Sequence, residues 1–527
     1  TLAKLVPDQL GLHIERAPEH EPALQHLADR DPVVKRCLEN AQALEGQARH
    51  ASVHAAGVIV ATRPLHEVVP LYRAPGAAGN EVVTQWDGPT CEKMGLLKMD
   101  FLGLRTISIV ERAKRLIREG LGEEAIWEAV GRADERPGAS AGKKTALAAS
   151  HPLDLDRLTY ADQKVFELFR RGDTTGVFQF ESDGMRRLLR EMRPDRLEDL
   201  IAANALFRPG PMDLIPDYNR RKHGEAAVPK VHAIVDLHTA ETYGVMVYQE
   251  QIMQIVHGLG GIKLRDAYTL IKNISKKKHD KIDKERPKFI DGATRQGLTA
   301  PAADELFELI LKFAGYGFNK SHSTGYAIVA YQTAYLKTYF PNQYMAAFLT
   351  YESGASQVAE WTPYLEDAKK TLFIDPATGA TLRTGVEVRP PDVNLSDADF
   401  TVVFEPGERR SALTGHVRFG LGAIKGVGGK AIESIVKART DAAGGATLPF
   451  VSLFDFCERV PIGGGGGTGG SVNKATIEAL IKSGAMDGLH GRKLRAAMVA
   501  SIDAAASAGA KAQRDKSTVL RADYALF

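Results

Sequence analysis

The stretch GLLKMDFLGLRT (residues 95–106) sets Lys98 and Asp100 two apart in an otherwise apolar run. Strand side chains alternate between faces, so these two would share one face while Leu97, Met99 and Phe101 take the other. A carboxylate beside a cation on a strand can hold a divalent metal and touch a phosphate. The same pair can equally close an ordinary strand-end ion pair. Upstream, HAAGVIVAT (54–62), EVVPLY (67–72) and EVVTQWD (81–87) are short β-rich runs broken by Gly and Pro, the texture of a mixed α/β unit.

On either side the pattern is helical. Leu24, Leu27, Val33, Val34, Cys37 and Leu38 recur at helical spacing within residues 1–50. Residues 105–350 read as mainly helical; DGMRRLLREMRP (183–194) lines up Met185, Leu188, Leu189 and Met192 on one stripe. The small polar stretch 136–150 reads as a surface insertion, residues 372–418 as strands and turns, GGGGGTGG (463–470) as a flexible connector, and Lys474 to about Ala510 as helix again. The fold class expected is α+β, predominantly helical.

A length of 527 residues predicts three or four domains. A formal charge of +3 does not mark the whole chain as a nucleic-acid binder. Lys263–Lys288 carries ten Lys or Arg against four Asp or Glu, which reads either as a solvated helical face or as a local nucleic-acid patch. Such crowding, centred on Lys272, Lys276, Lys277 and Lys278, is repulsive unless solvent or a polyanion compensates. Cys37, Cys91 and Cys457 are too scattered for a disulfide framework or a zinc site, which fits a reducing cytosol. No run of ~18 apolar residues predicts a membrane span, and the N-terminus has no apolar segment of a secretion signal.

Three further segments carry chemistry. In GYGFNKSHSTGY (315–326), Asn319, Lys320, Ser321, His322 and Ser323 precede an apolar helix. Exposed backbone N–H groups, hydroxyls and a cation at a helix start suit a phosphate or nucleotide, although Ser321 or Ser323 could simply cap the helix. FRPGP (207–211) stiffens a turn and presents Arg208 to an anion, or is a rigid connection with a surface arginine. GLGAIKGVGGKAIESIVKAR (420–439) places Lys425, Gly426, Gly428 and Lys430 at the turn of a helix–hairpin–helix. There glycine N–H groups can approach a DNA phosphate without reading sequence, or the turn is simply a tight helical hairpin with no ligand. A degenerate second copy is expected at LIKSGAMDGL (480–489).

In order along the chain, HAAGVIVA, LLKMDFLGLRT, GVFQFES, NALFRPGP, YGVMVYQEQIMQI, FAGYGFNKSHSTGYA and GLGAIKGVGG resemble the bacterial DNA polymerase III alpha subunit, the C-family replicative polymerases. The resemblance implies a partial Polβ-like nucleotidyltransferase palm, large helical fingers and a tandem helix–hairpin–helix module. It implies the end of a thumb at 1–53, the second part of the palm at 54–105, fingers at 106–415, the DNA-binding module at 416–498 and a tail at 499–527. It also implies template-directed DNA synthesis by two Mg²⁺ ions acting on a dNTP and a primer 3′-hydroxyl, with primer-template DNA, a sliding clamp and other replisome subunits as partners, in the cytoplasm. Asp100 matches the third metal-binding palm aspartate. The PDxDxDF-type segment that carries the other two does not occur in this sequence, and LDLDR (153–157) reads as a turn. The chain alone is therefore expected to be inactive, and the absent initial Met fits a fragment. Lys98 matches a triphosphate-side lysine. Ile271 and Lys272 stand where many relatives carry two arginines, so triphosphate grip is expected to be shared with Arg208, Lys320 and His322. The tail LRADYALF falls where a clamp-binding peptide is often found, with Arg521 in place of its Gln. The alternatives are an error-prone alpha-subunit paralogue and a non-catalytic DNA-binding scaffold.

Overall fold

The computed structural model describes residues 2–7, 12–47, 53–54, 56–73, 82–137, 150–275, 278–355, 358–440, 448–463 and 471–524, with backbone alone at 275, 279, 355, 358 and 516–524. Most of the 136–150 stretch and of the polyglycine run, Lys276, Lys277 and the end of the LRADYALF tail lie outside the described residues. The chain divides into two units, Thr1–Gly103 and Leu104–Phe527.

In the first unit, helices Pro22–Arg30 and Pro32–Leu44 each begin with proline, whose missing N–H costs nothing at a helix start. Each is capped by the preceding carboxylate: Glu21 accepts from Ala23 N–H at 3.3 Å and Asp31 from Val33 N–H at 2.8 Å. The expected β-rich runs form two antiparallel pairs, Gly57–Val60 with Leu97–Asp100 and Leu71–Tyr72 with Val83–Thr84. Val69, Cys91 and Leu96 form a small core beneath them.

The second unit is predominantly helical. Its largest core gathers around helix Lys320–Tyr339, buried on every side from Ala330 onward, and the helix Pro341–Ala355 that follows. Helices Arg105–Gly120, Gln163–Arg171, Asp183–Met192 and Leu197–Leu206 contribute to the same core. Met185, Leu188, Leu189 and Met192 are its contribution from the third of these, as their spacing predicts. LDLDR contains a 3-10 turn, Leu155–Arg157. Helices Gln249–Gly258, Leu264–Ser275, Arg286–Arg295 and Ala300–Ala314 enclose a second core. There Gly292 is required by contact: a Cβ would lie 2.1 Å from the Gly260 carbonyl oxygen.

The expected strands of 372–418 are a hairpin, Leu372–Ile374 with Thr381–Thr384, and a three-stranded sheet. In the sheet, His416–Arg418 lies between Val388–Arg389, parallel to it, and Thr401–Val403, antiparallel. A third core unites helices Gly429–Ala438, Leu453–Arg459 and Lys474–Ser483 with the start of Ile502–Tyr524. Gln513 of that last helix donates to the carbonyls of Cys457, Glu458 and Val460 at 3.1, 3.2 and 2.8 Å, satisfying the end of Leu453–Arg459. Among the described residues no helix is long and apolar enough to cross a membrane.

Candidate nucleotide and nucleic-acid interface

The strand pair Gly57–Val60 and Leu97–Asp100 sets Gly57 opposite Asp100 and Ile59 opposite Lys98. Lys98 and Asp100 therefore share a face, and the Lys98 ammonium donates to the Asp100 carboxylate. That contact holds the Asp100 carboxyl below its usual range. Two glycines make the geometry possible. A Cβ at Gly57 would lie 2.9 Å from His54 Nδ1 and 3.1 Å from Asp100 Oδ1, and one at Gly88 would lie 2.9 Å from the Lys98 stem. Asp100 stays about half exposed. His54 Nδ1 stands 3.9 Å from Asp100. His54, three residues before Gly57 in the HAAGVIVA string, is a neighbour of Asp100 that the sequence reading does not single out. Among the described residues no group of three His, Cys, Asp or Glu could hold a metal ion.

In the second unit, the Gly-rich turn is tied to the segment before helix Gln249–Gly258. Gln249 N–H donates to Phe318 O at 2.9 Å, and Phe318 N–H to Val247 O at 3.2 Å. Two expectations about this turn need correction. The helix cap is Asn319, whose Oδ1 accepts from His322 N–H at 2.8 Å, and neither serine. Ser323 is buried and donates to Ile201 O at 2.7 Å, because its position in the first turn faces the core. Nor is the helix start an open anion seat. Lys320 N–H donates to both Glu250 oxygens at 3.0 and 2.9 Å, and Asn319 Nδ2 donates to Oε1 at 2.9 Å. An internal carboxylate thus answers the positive end of the helix. The Lys320 ammonium is likewise engaged, 2.8 Å from Glu241 and 5.5 Å from the centre of the Tyr248 ring.

Arg208 is different. Its guanidinium donates to the carbonyls of Tyr316 and Ala205 and lies 4.5 Å from the centre of the Phe318 ring. Among the described residues no carboxylate forms an ion pair with it, and partial burial pushes its pKa down. His322 is exposed, between the rings of Phe318 and Tyr326.

Lys272 and Lys278 are exposed, while Ile271 is buried in the second core. A helix presents neighbouring positions to different sides, so the buried position 271 and the exposed position 272 cannot act as a paired cation grip. In the first hairpin Gly426 adopts φ +91°, and Lys425, Gly428 and Lys430 are exposed. A Cβ at Gly428 would meet nothing within 4 Å. In the second, helix Lys474–Ser483 ends on left-handed Gly484, where a Cβ would lie 2.3 Å from Arg495 Nη2.

Three family models match in chain order. The bacterial DNA polymerase III alpha NTPase domain matches residues 1–103, the bacterial DNA polymerase III alpha subunit finger domain residues 140–297, and a helix-hairpin-helix motif residues 385–496. The chain is similar to DNA polymerase III subunit alpha of Bacillus subtilis (strain 168), at 39% identity over 506 residues, covering 96% of this chain and 39% of the relative. It is similar to the protein of the same description from Thermus aquaticus, at 40% identity over 510 residues, covering 95% and 36%. Deinococcus radiodurans has another, 39% identical over 497 residues, covering 92% and 32%. The chain thus spans well under half the length of these curated relatives.

Proposed function

Because this chain belongs to the bacterial DNA polymerase III alpha-subunit family, we propose that it forms part of a DNA-directed DNA polymerase that extends a primer along a template in chromosome replication. The observation that carries this reading is similarity over nearly the whole chain to proteins described as DNA polymerase III subunit alpha. In this reading residues 1–53 end a thumb, 54–105 complete a Polβ-like palm, 106–415 are fingers, 416–498 grip duplex DNA and 499–527 form a tail. Primer-template DNA and dNTPs are the substrates; a sliding clamp and other replisome subunits are partners, in the cytoplasm. A replicative enzyme is favoured over an error-prone paralogue by the named relatives.

The residues divide the work as follows. Asp100 would supply one carboxylate to Mg²⁺, the ion that would polarise the reacting phosphate. Lys98, oriented by the ion pair and by Gly88, keeps a positive charge beside that carboxylate for a triphosphate. Arg208 and the exposed His322 present polar groups at the turn, and Lys272 and Lys278 add positive field. Lys320 is placed to orient the turn through Glu241 rather than to meet phosphate as a free charge. One carboxylate can neither neutralise two divalent cations nor fix their separation, so no chemical step is assigned to this chain alone. The exposed strand pair of Lys98 and Asp100 favours the enzyme over a DNA-binding scaffold, which has no use for it.

The test is primer-template binding and primer extension by chain 1–527 in Mg²⁺. We expect sequence-independent, strongly salt-dependent binding without extension. Extension would refute the incomplete site, and failure to bind duplex would overturn the polymerase reading.

A further inference from the structure

Helix Gln163–Arg171, the C-terminal end of helix Lys320–Tyr339 and the hairpin of Leu372–Ile374 with Thr381–Thr384 border a cavity of about 450 Å³ in the second unit. Six Lys or Arg line it against three Asp or Glu. All three carboxylates are answered from within: Glu167 pairs with Arg170 at 2.8 Å, Asp173 with Arg171 at 2.7 Å, and Asp367 with the buried Lys337 at 2.6 Å. Lys337 donates its other protons to the carbonyls of Asp173 and Thr175. Arg186 donates to Gly172 O at 2.8 Å and lies 3.8 Å from Asp183. Lys164 and Lys370 remain, and neither forms an ion pair among the described residues. Asp375 is held by the Ala377 N–H and the Thr378 hydroxyl, and Glu366 by Lys369; Lys164 and Lys370 act on them only from a distance. Neither of those carboxylates lines the cavity.

A second observation concerns Thr338, which lines the same cavity and is only 6% exposed. Its Oγ1 has no hydrogen-bond partner among the described residues. The hydroxyls of its neighbours do: Thr333 donates to Ala330 O at 2.7 Å, and Thr371 to Asp367 O at 3.1 Å. A buried hydroxyl without a partner is costly, and a group that enters the cavity would supply one. Leu168, Leu372, Ile374 and Ala377 give the cavity an apolar wall. The hairpin turn lies against the Lys164 stem, since a Cβ at Gly379 would stand 3.9 Å from Lys164 Cε.

We propose that this cavity binds the phosphate of a small phosphorylated molecule, at a site separate from the nucleotide and nucleic-acid interface, with charge from Lys164 and Lys370 and a hydrogen bond from the Thr338 hydroxyl. Cations without carboxylate partners around a recessed space favour a polyanion. The volume is that of a small-ligand site, and the apolar wall leaves room for a base beside the phosphate. A ligand here would touch helix Gln163–Arg171 and the hairpin together and so stabilise the chain against unfolding. The site stands whether or not the polymerase reading does.

The test is isothermal titration calorimetry of chain 1–527 in EDTA with ADP, inorganic pyrophosphate and adenosine, alongside thermal melts and duplex binding. ADP or pyrophosphate should bind with a Kd below about 1 mM, and adenosine should not bind. ADP tighter than pyrophosphate would give the apolar wall to a base; equal affinities would give the site to a bare polyphosphate. Lys164→Ala/Lys370→Ala should weaken the binding at least about tenfold and leave duplex binding unchanged, whereas Lys98→Ala should leave ADP within about twofold. Thr338→Val should weaken it at least about threefold yet melt no lower than the parent without ligand, because it removes an unpaired hydroxyl. The site is overturned by no binding at about 5 mM, by unchanged affinity in the double lysine variant, or by an equal loss in Lys98→Ala. A lower melting temperature of ligand-free Thr338→Val, or weaker duplex binding by the double lysine variant, overturns it as well. The first shows that the fold already satisfies the hydroxyl; the second gives the lysines to DNA.

Discussion

The two glycine turns of the C-terminal module, at Gly426–Gly428 and at the degenerate Gly484, differ in what stands around them. At the first, Lys425 and Lys430 form no ion pair among the described residues, and the space over Gly428 is empty to 4 Å. At the second, Lys474 pairs with Asp503, Lys482 with Glu478 at 2.5 Å and Arg495 with Asp487 at 2.5 Å, while the Arg495 guanidinium covers Gly484. A glycine turn binds phosphate when a polyanion can reach its N–H groups and unpaired cations add their charge. The first hairpin meets both conditions. At the second, the cations named are already paired with carboxylates of the same module.

The largest difference should appear in the salt dependence of duplex binding. Replacing Lys425 and Lys430 together by Ala should lower the slope of log K against log salt by about 1.8, the loss of two phosphate contacts. The double variant Lys474→Ala/Lys482→Ala should leave the slope nearly unchanged. A titration in which both pairs lower it equally would erase the contrast.

A smaller effect of opposite kind separates the glycines. Gly484 has φ +89° and meets Arg495, so Gly484→Ala should cost about 1–2 kcal/mol in urea denaturation. Gly428 has φ −86° and open space. Gly428→Ala should change stability by no more than about 0.5 kcal/mol while weakening duplex binding, because the new methyl stands where phosphate would approach. Stability loss at Gly428 without binding loss would reverse the assignment.

The hairpins also show what the sequence could and could not tell. The glycine spacing made both turns legible, since backbone freedom is written in residue type. Their difference was not, because Arg495 reaches Gly484 through folding, and spacing does not say where a long side chain ends. The Lys98 and Asp100 face was legible for the same reason as the glycines: alternation is a property of the strand itself. The engagement of Lys320 by Glu241 and of its N–H by Glu250 was hidden, because those carboxylates lie about seventy to eighty positions earlier in the chain.

The subtlest expected contrast lies in acid. The strand His416–Arg418 leads through the turn Leu421–Ala423 into the first hairpin. His416 is buried there, with its Nε2 2.9 Å from the Arg418 guanidinium, so Nε2 must be the unprotonated acceptor. Its Nδ1 lies 3.9 Å from Glu405. Desolvation lowers the His416 pKa, reinforced by Arg389 and Arg418, while Glu387 and Glu405 oppose the shift without overcoming it. The folded state therefore binds the proton less readily than the unfolded state, whose histidine titrates near 6.5. Stability is retained above that value and falls as the pH drops from it through the lower folded pKa. Amide protection factors at 416–430, taken relative to the intrinsic exchange rate at each pH, should fall on acidification through this window more than those at 474–495, and His416→Gln should flatten that difference. Identical acid responses in the two segments, with or without His416, would show that the histidine does not distinguish the open hairpin from the closed one.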